Sequence, residues 1–261
     1  MNERSVITAA TEVTGVALAG PTGAPAIVFV HGTRMTSAMW SAQMTGLGDT
    51  FRTIAVDLPG HGTRAGEAFT LERASEMLAA AIREHATGGR AVVVGLSLGG
   101  YIAMDVAARE PALVRGLVLS GATAEPIGLR TLPYLGLARV TDRLSGSRGD
   151  RINGWFFRKR YPAEIADPIL AGGFWSIGGA SALRAIVGES FIPRLAAYPG
   201  PTLLINGEFD YPFRLSARRF AAAARDARRV RLAGASHLAN LDRPAAFNAA
   251  VRRFAVSLED I

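Results

Sequence analysis

At 261 residues, with no cysteine and a formal charge of +7, the chain is long enough for one large core, and it excludes disulfide and thiol chemistry. Lys159 is the only lysine, and the arginines are scattered in short runs such as Arg158-Lys159-Arg160 and Arg228-Arg229. No stacking platform accompanies them, so a solvated surface and no nucleic-acid partner are expected.

The opening Met1-Asn2-Glu3-Arg4-Ser5 leads into no apolar signal region, and no run approaches the roughly 18 residues needed to cross a bilayer. The expectation is a soluble cytoplasmic protein, monomer or homodimer, with no membrane partner. Residues 5–8 and 13–18 read as short strands, with a hairpin and turn in the Gly/Pro-rich stretch 20–25. The uninterrupted apolar run at 26–30 is a buried strand, and His31-Gly32-Thr33-Arg34 opens from its end. Gly32 lets backbone approach a reaction centre there, which makes the Thr33 N–H a candidate oxyanion donor and gives His31 a bracing role. Arg34 is a candidate for binding a substrate carboxylate or phosphate in a bidentate manner; the alternative is a side chain that points outward or pairs with a nearby carboxylate.

Alternation of strand and helix follows: a strand at 52–56, an amphipathic helix at 71–82 and a strand at 91–94. That last strand runs into Gly95-Leu96-Ser97-Leu98-Gly99 and a helix-like stretch at 101–108. Strand, tight turn and helix with a serine at the apex define the context in which G-x-S-x-G carries a strained, exposed nucleophile. Ser97 is therefore the candidate nucleophile, and the N–H of Leu98 is the second oxyanion donor. A serine hydroxyl needs a base and an orienting acid. Of the four histidines, His85 ends a helix and His31 and His61 lie in early loops, while His237 sits in Gly234-Ala235-Ser236-His237 after a strand at 229–232. His237 is the candidate base. The strand at 202–206 is followed by Gly207-Glu208-Phe209-Asp210, where Asp210 is the preferred acid and Glu208 the fallback; after the strand at 116–119 no carboxylate occurs until Glu125. No metal cluster, phosphate-cradling loop or dinucleotide fingerprint is present in the sequence, so no cofactor and no metal are expected.

With His31-Gly32, Asp57-Leu58-Pro59-Gly60-His61-Gly62, Gly95 to Gly100, Gly207 to Asp210 and Gly234 to His237 in this order, the chain resembles the α/β-hydrolase superfamily. The resemblance implies an α/β fold with a mostly parallel central sheet flanked by helices, and it implies that Asp57 to Gly62 is a structural turn that includes His61. It also implies a core of residues 1–123 and 198–261 with a helical cap inserted at 124–197. That segment is aromatic: Trp155, Phe174 and Trp175 are candidates to line an apolar or aromatic pocket, others forming the segment's own packing. The activity implied is serine hydrolysis of an ester, thioester or lactone of a small-molecule acyl substrate. Carbon–carbon bond hydrolysis, cofactor-free perhydrolysis and a non-catalytic ligand receptor remain alternatives. Relatives that open epoxides or displace halide carry Asp at the elbow, so Ser97 argues against those reactions.

Overall fold

A computed structural model describes residues 11–13 and 15–258. Among the described residues eight strands form one sheet: β1 (Thr11–Val13), β2 (Val16–Ala19), β3 (Ala26–Val30), β4 (Arg52–Val56), β5 (Ala91–Leu96), β6 (Val114–Ser120), β7 (Pro201–Gly207) and β8 (Asp226–Leu232). Their order is β1-β2-β4-β3-β5-β6-β7-β8, with β1 and β2 antiparallel and the rest parallel. The helices are α1 (Ser41–Leu47), α2 (Leu71–His85), α3 (Leu98–Arg109), α4 (Thr131–Arg143), α5 (Ser147–Arg160), α6 (Ala163–Gly172), α7 (Ser176–Ala185), α8 (Ile192–Ala197), α9 (Tyr211–Ala223), α10 (Ala239–Asp242) and α11 (Pro244–Val256). None of these helices is long and apolar enough to cross a membrane.

The two central strands β3 and β5 are apolar at every position because helices cover both faces of the sheet. Along β3, Val28 and Val30 face a core that α2, α3 and α8 complete, whereas Ile27 and Phe29 face a second core under α1 and α11. The chain steps from β3 outward to β4 and then back across β3 to β5, so the strand order reverses between β3 and β5. Loops leaving the carboxyl ends of two strands diverge at such a point and leave a crevice. Here the two loops are those of His31 and Ser97.

The expected strand at 13–18 is interrupted. Val13 pairs with Val16 across a turn in which Gly15 takes φ +78°, so the hairpin closes there and not within 20–25. The expected strand at 5–8 lies outside the described residues. Residues 124–197 contain α4 to α8. Glu125 closes the base of this excursion: its carboxylate accepts the N–H groups of Phe191 and Ile192, each at 2.7 Å, and the Ser190 hydroxyl at 2.8 Å. Beyond that stitch, Phe191 packs against Tyr101 of α3 with ring centroids 4.5 Å apart, and α8 packs on α3 and α9.

Candidate active site

β5 delivers Ser97 to the start of α3 with φ 53° and ψ −116°, a positive φ that a side chain rarely adopts. The turn is pinned by its neighbours: Ser97 N–H donates to Ser120 O at 2.8 Å, and Gly100 N–H donates to Ser97 O at 2.9 Å. The following residue, Leu98, opens α3, where first-turn N–H groups have no intrahelical acceptor and favour negative charge.

The loop after β7 carries Asp210, buried, and the loop after β8 carries His237. His237 Nδ1 lies 3.1 and 3.2 Å from the two Asp210 carboxylate oxygens, so the bond fixes the ring on the acid. The Phe213 ring stacks on the imidazole with centroids 4.9 Å apart. The backbone of Gly121 (φ +55°) also closes in, and a Cβ there would fall 2.8 Å from His237 Cε1 and 3.0 Å from Asp210 Oδ2. Only glycine fits. Ser97 N–H is bonded to Ser120 and the imidazole lies against Gly121, so the end of β6 touches both segments. Their side chains are not hydrogen-bonded to each other in this structure. Glu208 turns elsewhere, accepting the Gly234 N–H at 2.9 Å. Gly121 has no apolar or charged signature in the sequence; its position directly after the β6 run is the one signal that could have marked it.

On the β3 side, Thr33 and Leu98 each present a backbone N–H with no acceptor among the described residues. The Thr33 hydroxyl donates to Gly179 O of α7 at 3.1 Å. His31 braces this loop. It accepts the Leu58 N–H on Nε2 at 3.0 Å and donates from Nδ1 to Gly32 O at 2.8 Å, a pairing that requires the neutral ring. His61, its centroid 5.0 Å from that of His31, donates to Pro59 O at 2.9 Å. Asp57 closes the turn by accepting from the Ser37 and Thr63 N–H groups.

Burial of His61, with the nearby His31, pushes its pKa down to about 3, and burial pulls His31 in the same direction. The unfolded chain takes up these protons near pH 6.5, so between that pH and about 3 the unfolded state holds more protons and stability falls with pH. His61 alone is expected to cost about 2 to 3 kcal/mol on going from pH 7 to 4.5. Urea unfolding at the two pH values measures this, and His61→Gln should flatten the difference. A wild-type protein equally stable at both would refute it.

Arg34 adopts φ 66°, its Nε donates to Ser176 Oγ at 3.2 Å, and its guanidinium lies over the Phe174 ring at 5.8 Å. One terminal nitrogen, Nη2, is buried without an acceptor among the described residues. Burial pulls this guanidinium below its ordinary range, partly countered by Asp150. Trp155, Phe174 and Trp175 line a cavity of about 960 Å³, but Ser97 and His237 do not line it. Leu170 joins the three aromatic rings in this lining, and so do cations. Residues 150, 151, 154, 155, 158 and 159 recur at helical spacing on one face of α5, so Arg151, Arg158 and Lys159 face the same cavity with Asp150 as the only carboxylate in its lining. Trp155 is 63% exposed, with Lys159 Nζ over its ring at 5.1 Å. Among the described residues no group of three His, Cys, Asp or Glu side chains is arranged to hold a metal ion.

Residues 27–250 match the model of the alpha/beta hydrolase family. The chain belongs to that family. Within it, the chain is 42% identical over 103 residues to an esterase of Mycobacterium tuberculosis, covering 38% of this chain and 34% of that protein. It is 28% identical over 243 residues to a bifunctional esterase/perhydrolase of Acinetobacter calcoaceticus, covering 84% and 87% of the two chains. The match spans only about a third of the length of the first of these relatives. Among solved structures, MenH from S. aureus superposes with a TM-score of 0.77 at 20% identity, covering 95% of this chain and all of that one, a likeness of fold.

Proposed function

We propose that this alpha/beta hydrolase is a serine hydrolase of carboxylic esters, with thioesters and lactones open to the same chemistry. Ser97 is the nucleophile, His237 the general base and Asp210 the acid that orients it. The observation that carries the reading is the bond between His237 Nδ1 and Asp210, seated on Gly121 beside the Ser97 turn. With Nδ1–H committed to the carboxylate, Nε2 carries the lone pair and can take a proton. His237 removes the Ser97 proton as Oγ adds to the acyl carbon, and the tetrahedral oxyanion is held by the N–H groups of Thr33 and Leu98. The imidazolium then gives its proton to the leaving alcohol, and water activated by the same ring releases the acid. Residues 124–197 act as the cap over this centre. The esterase names of the relatives support the reading, and the name of the relative matched over 243 residues, esterase/perhydrolase, favours perhydrolysis as the second activity to assay.

Labelling by a fluorophosphonate probe tests the assignment. A single adduct on Ser97, lost in His237→Ala, is the expected result; labelling elsewhere, or none, defeats it. Arg34 is assigned to an anionic group of the substrate, because leaving a buried guanidinium N–H unpaired costs about 1 to 3 kcal/mol that an anion would recover. Arg34→Ala should therefore reduce kcat/KM on a carboxylated aryl ester by about ten- to a hundredfold more than on its neutral counterpart. Equal losses on the two substrates would remove Arg34 from the binding site.

A further inference from the structure

A second carboxylate holds the loop that carries His237, and the mechanism above makes no use of it. Asp242, at the end of α10, is almost fully buried, and all four of its acceptor directions are occupied. Its Oδ2 accepts the Ser236 N–H at 2.6 Å and the Ser236 hydroxyl at 2.5 Å. Its Oδ1 accepts Arg160 Nη2 at 2.7 Å and the Tyr161 hydroxyl at 3.0 Å. Arg160 also reaches the Ser236 hydroxyl directly, at 3.1 Å. Burial alone would raise the Asp242 carboxyl, but the donors of Ser236, Arg160 and Tyr161 outweigh it and hold the group below the usual carboxylate range. Tyr161, pushed up to about 12 chiefly by burial, stays a donor at neutral pH.

Ser236 immediately precedes His237. It is fixed on its other side too, since a Cβ on Gly207 would lie 2.1 Å from Ser236 O, so this carbonyl is pressed against the end of β7. A residue clamped in this way leaves its neighbour's Cα little freedom. Arg160 and Tyr161 come from the end of α5, within the inserted helices, so one carboxylate joins the insertion to the His237 loop. The charged groups around that loop are few. Asp210 touches the imidazole, Glu208 and Arg243 bind the backbone of residues 234 and 233, and Asp242 with Arg160 binds Ser236.

We propose that Asp242 is a positioning residue for His237, and that through Arg160 and Tyr161 it ties the placement of the imidazole to the seating of α5. The inference rests on the reading of His237 as general base. Asp242→Asn keeps the volume but turns one acceptor into a donor that faces either the Ser236 N–H or the Arg160 guanidinium, neither of which can accept. It should lower kcat on a short-chain aryl ester by about ten- to a hundredfold, as displacement of a catalytic group by a fraction of an ångström does, with KM nearly unchanged. Arg160→Gln removes one arm of the clamp from a part-exposed position, and Tyr161→Phe removes only the hydroxyl of a buried ring, so each should fold and give smaller losses of the same kind.

The deciding readout is the pH dependence of Ser97 labelling by the fluorophosphonate between about pH 5 and 9. A change in how the imidazole sits on Asp210 changes this profile, so the midpoint should differ from the wild-type value in Asp242→Asn and in Arg160→Gln. Loss of activity with an unmoved midpoint, tracking only a lower melting temperature, would overturn the inference and leave Asp242 a stabilising group. Should Asp242→Asn not fold, the midpoints of Arg160→Gln and Tyr161→Phe decide in the same way. Wild-type protein that is not labelled at Ser97 at any pH would instead overturn the reading of His237 and this inference with it.

Discussion

Ser97→Ala is expected to lower kcat/KM on any ester the protein turns over by about 10⁶-fold, the loss seen when a nucleophile is removed from a triad acting as a unit. His237→Ala should match it, and the double variant should be no worse than either alone, because neither group has a task without the other. Asp210→Asn should cost about 10⁴-fold, since the ring would keep its place but lose its tautomer and the charge that stabilises the imidazolium. Stability should move differently. Ser97 sits at φ 53°, and alanine is no better suited to that region than serine, so Ser97→Ala should melt like the wild type. Ser97→Gly relieves strain of about 1 to 3 kcal/mol against an entropic cost of about 0.5 to 1 kcal/mol, and should be the more stable protein while just as inactive. Steady-state kinetics and urea unfolding on the same preparations separate the two effects. Hydrolysis by Ser97→Ala within tenfold of wild type would end the assignment.

The parts of this arrangement that were legible in the sequence are those fixed by local pattern. A strand buried on both faces reads as a near-continuous apolar run, and residues 26–30 and 52–56 have the same bounds as β3 and β4. β8 extends further, to Asp226, because an edge strand can be arginine-rich and its exposed face shows no apolar period. The turn at Gly15 was hidden for another reason. One glycine inside an apolar run marks a hairpin only if the two halves pair with each other, and pairing is not a local property.

The order of serine, acid and histidine after β5, β7 and β8 was readable too, because a doubly wound sheet gathers the ends of its parallel strands along one edge. What could not be read is whatever depends on two distant segments meeting. Asp242 and Arg160 are 82 residues apart, and neither has neighbours that announce a pair. The aromatics of 124–197 divide for the same reason. Phe157 and Tyr161 enter the core under α1 and α11, Phe191 joins the opposite core against Tyr101, and Trp155 lies open beside three cations. Composition marked the segment as aromatic, but only its packing assigns each ring to a core or to a cavity wall.

The second large effect is on folding, and it comes from the glycines that flank Ser97. A Cβ on Gly99 would lie 2.2 Å from Val30 O, 2.6 Å from Val30 C and 2.8 Å from His31 O. All three atoms are backbone at the end of β3, so no rotamer change can relieve the contact; α3 would have to lift off the sheet. Gly95 is as tight, its Cβ falling 2.4 Å from Gly99 O and 2.5 Å from Gly100 N. Gly99→Ala and Gly95→Ala are each expected to cost at least about 3 kcal/mol in urea unfolding, at the upper end of what overpacking does. Gly136 provides the opposite case. It lies inside α4 with open space where a Cβ would go, so Gly136→Ala should stabilise by about 0.5 to 1 kcal/mol through helix entropy alone. One substitution, with opposite signs at residues 99 and 136, separates steric demand from propensity. If Gly99→Ala unfolded at the wild-type urea midpoint, α3 would not be seated on β3 as described, and the Leu98 N–H would lose the fixed place that the oxyanion role requires.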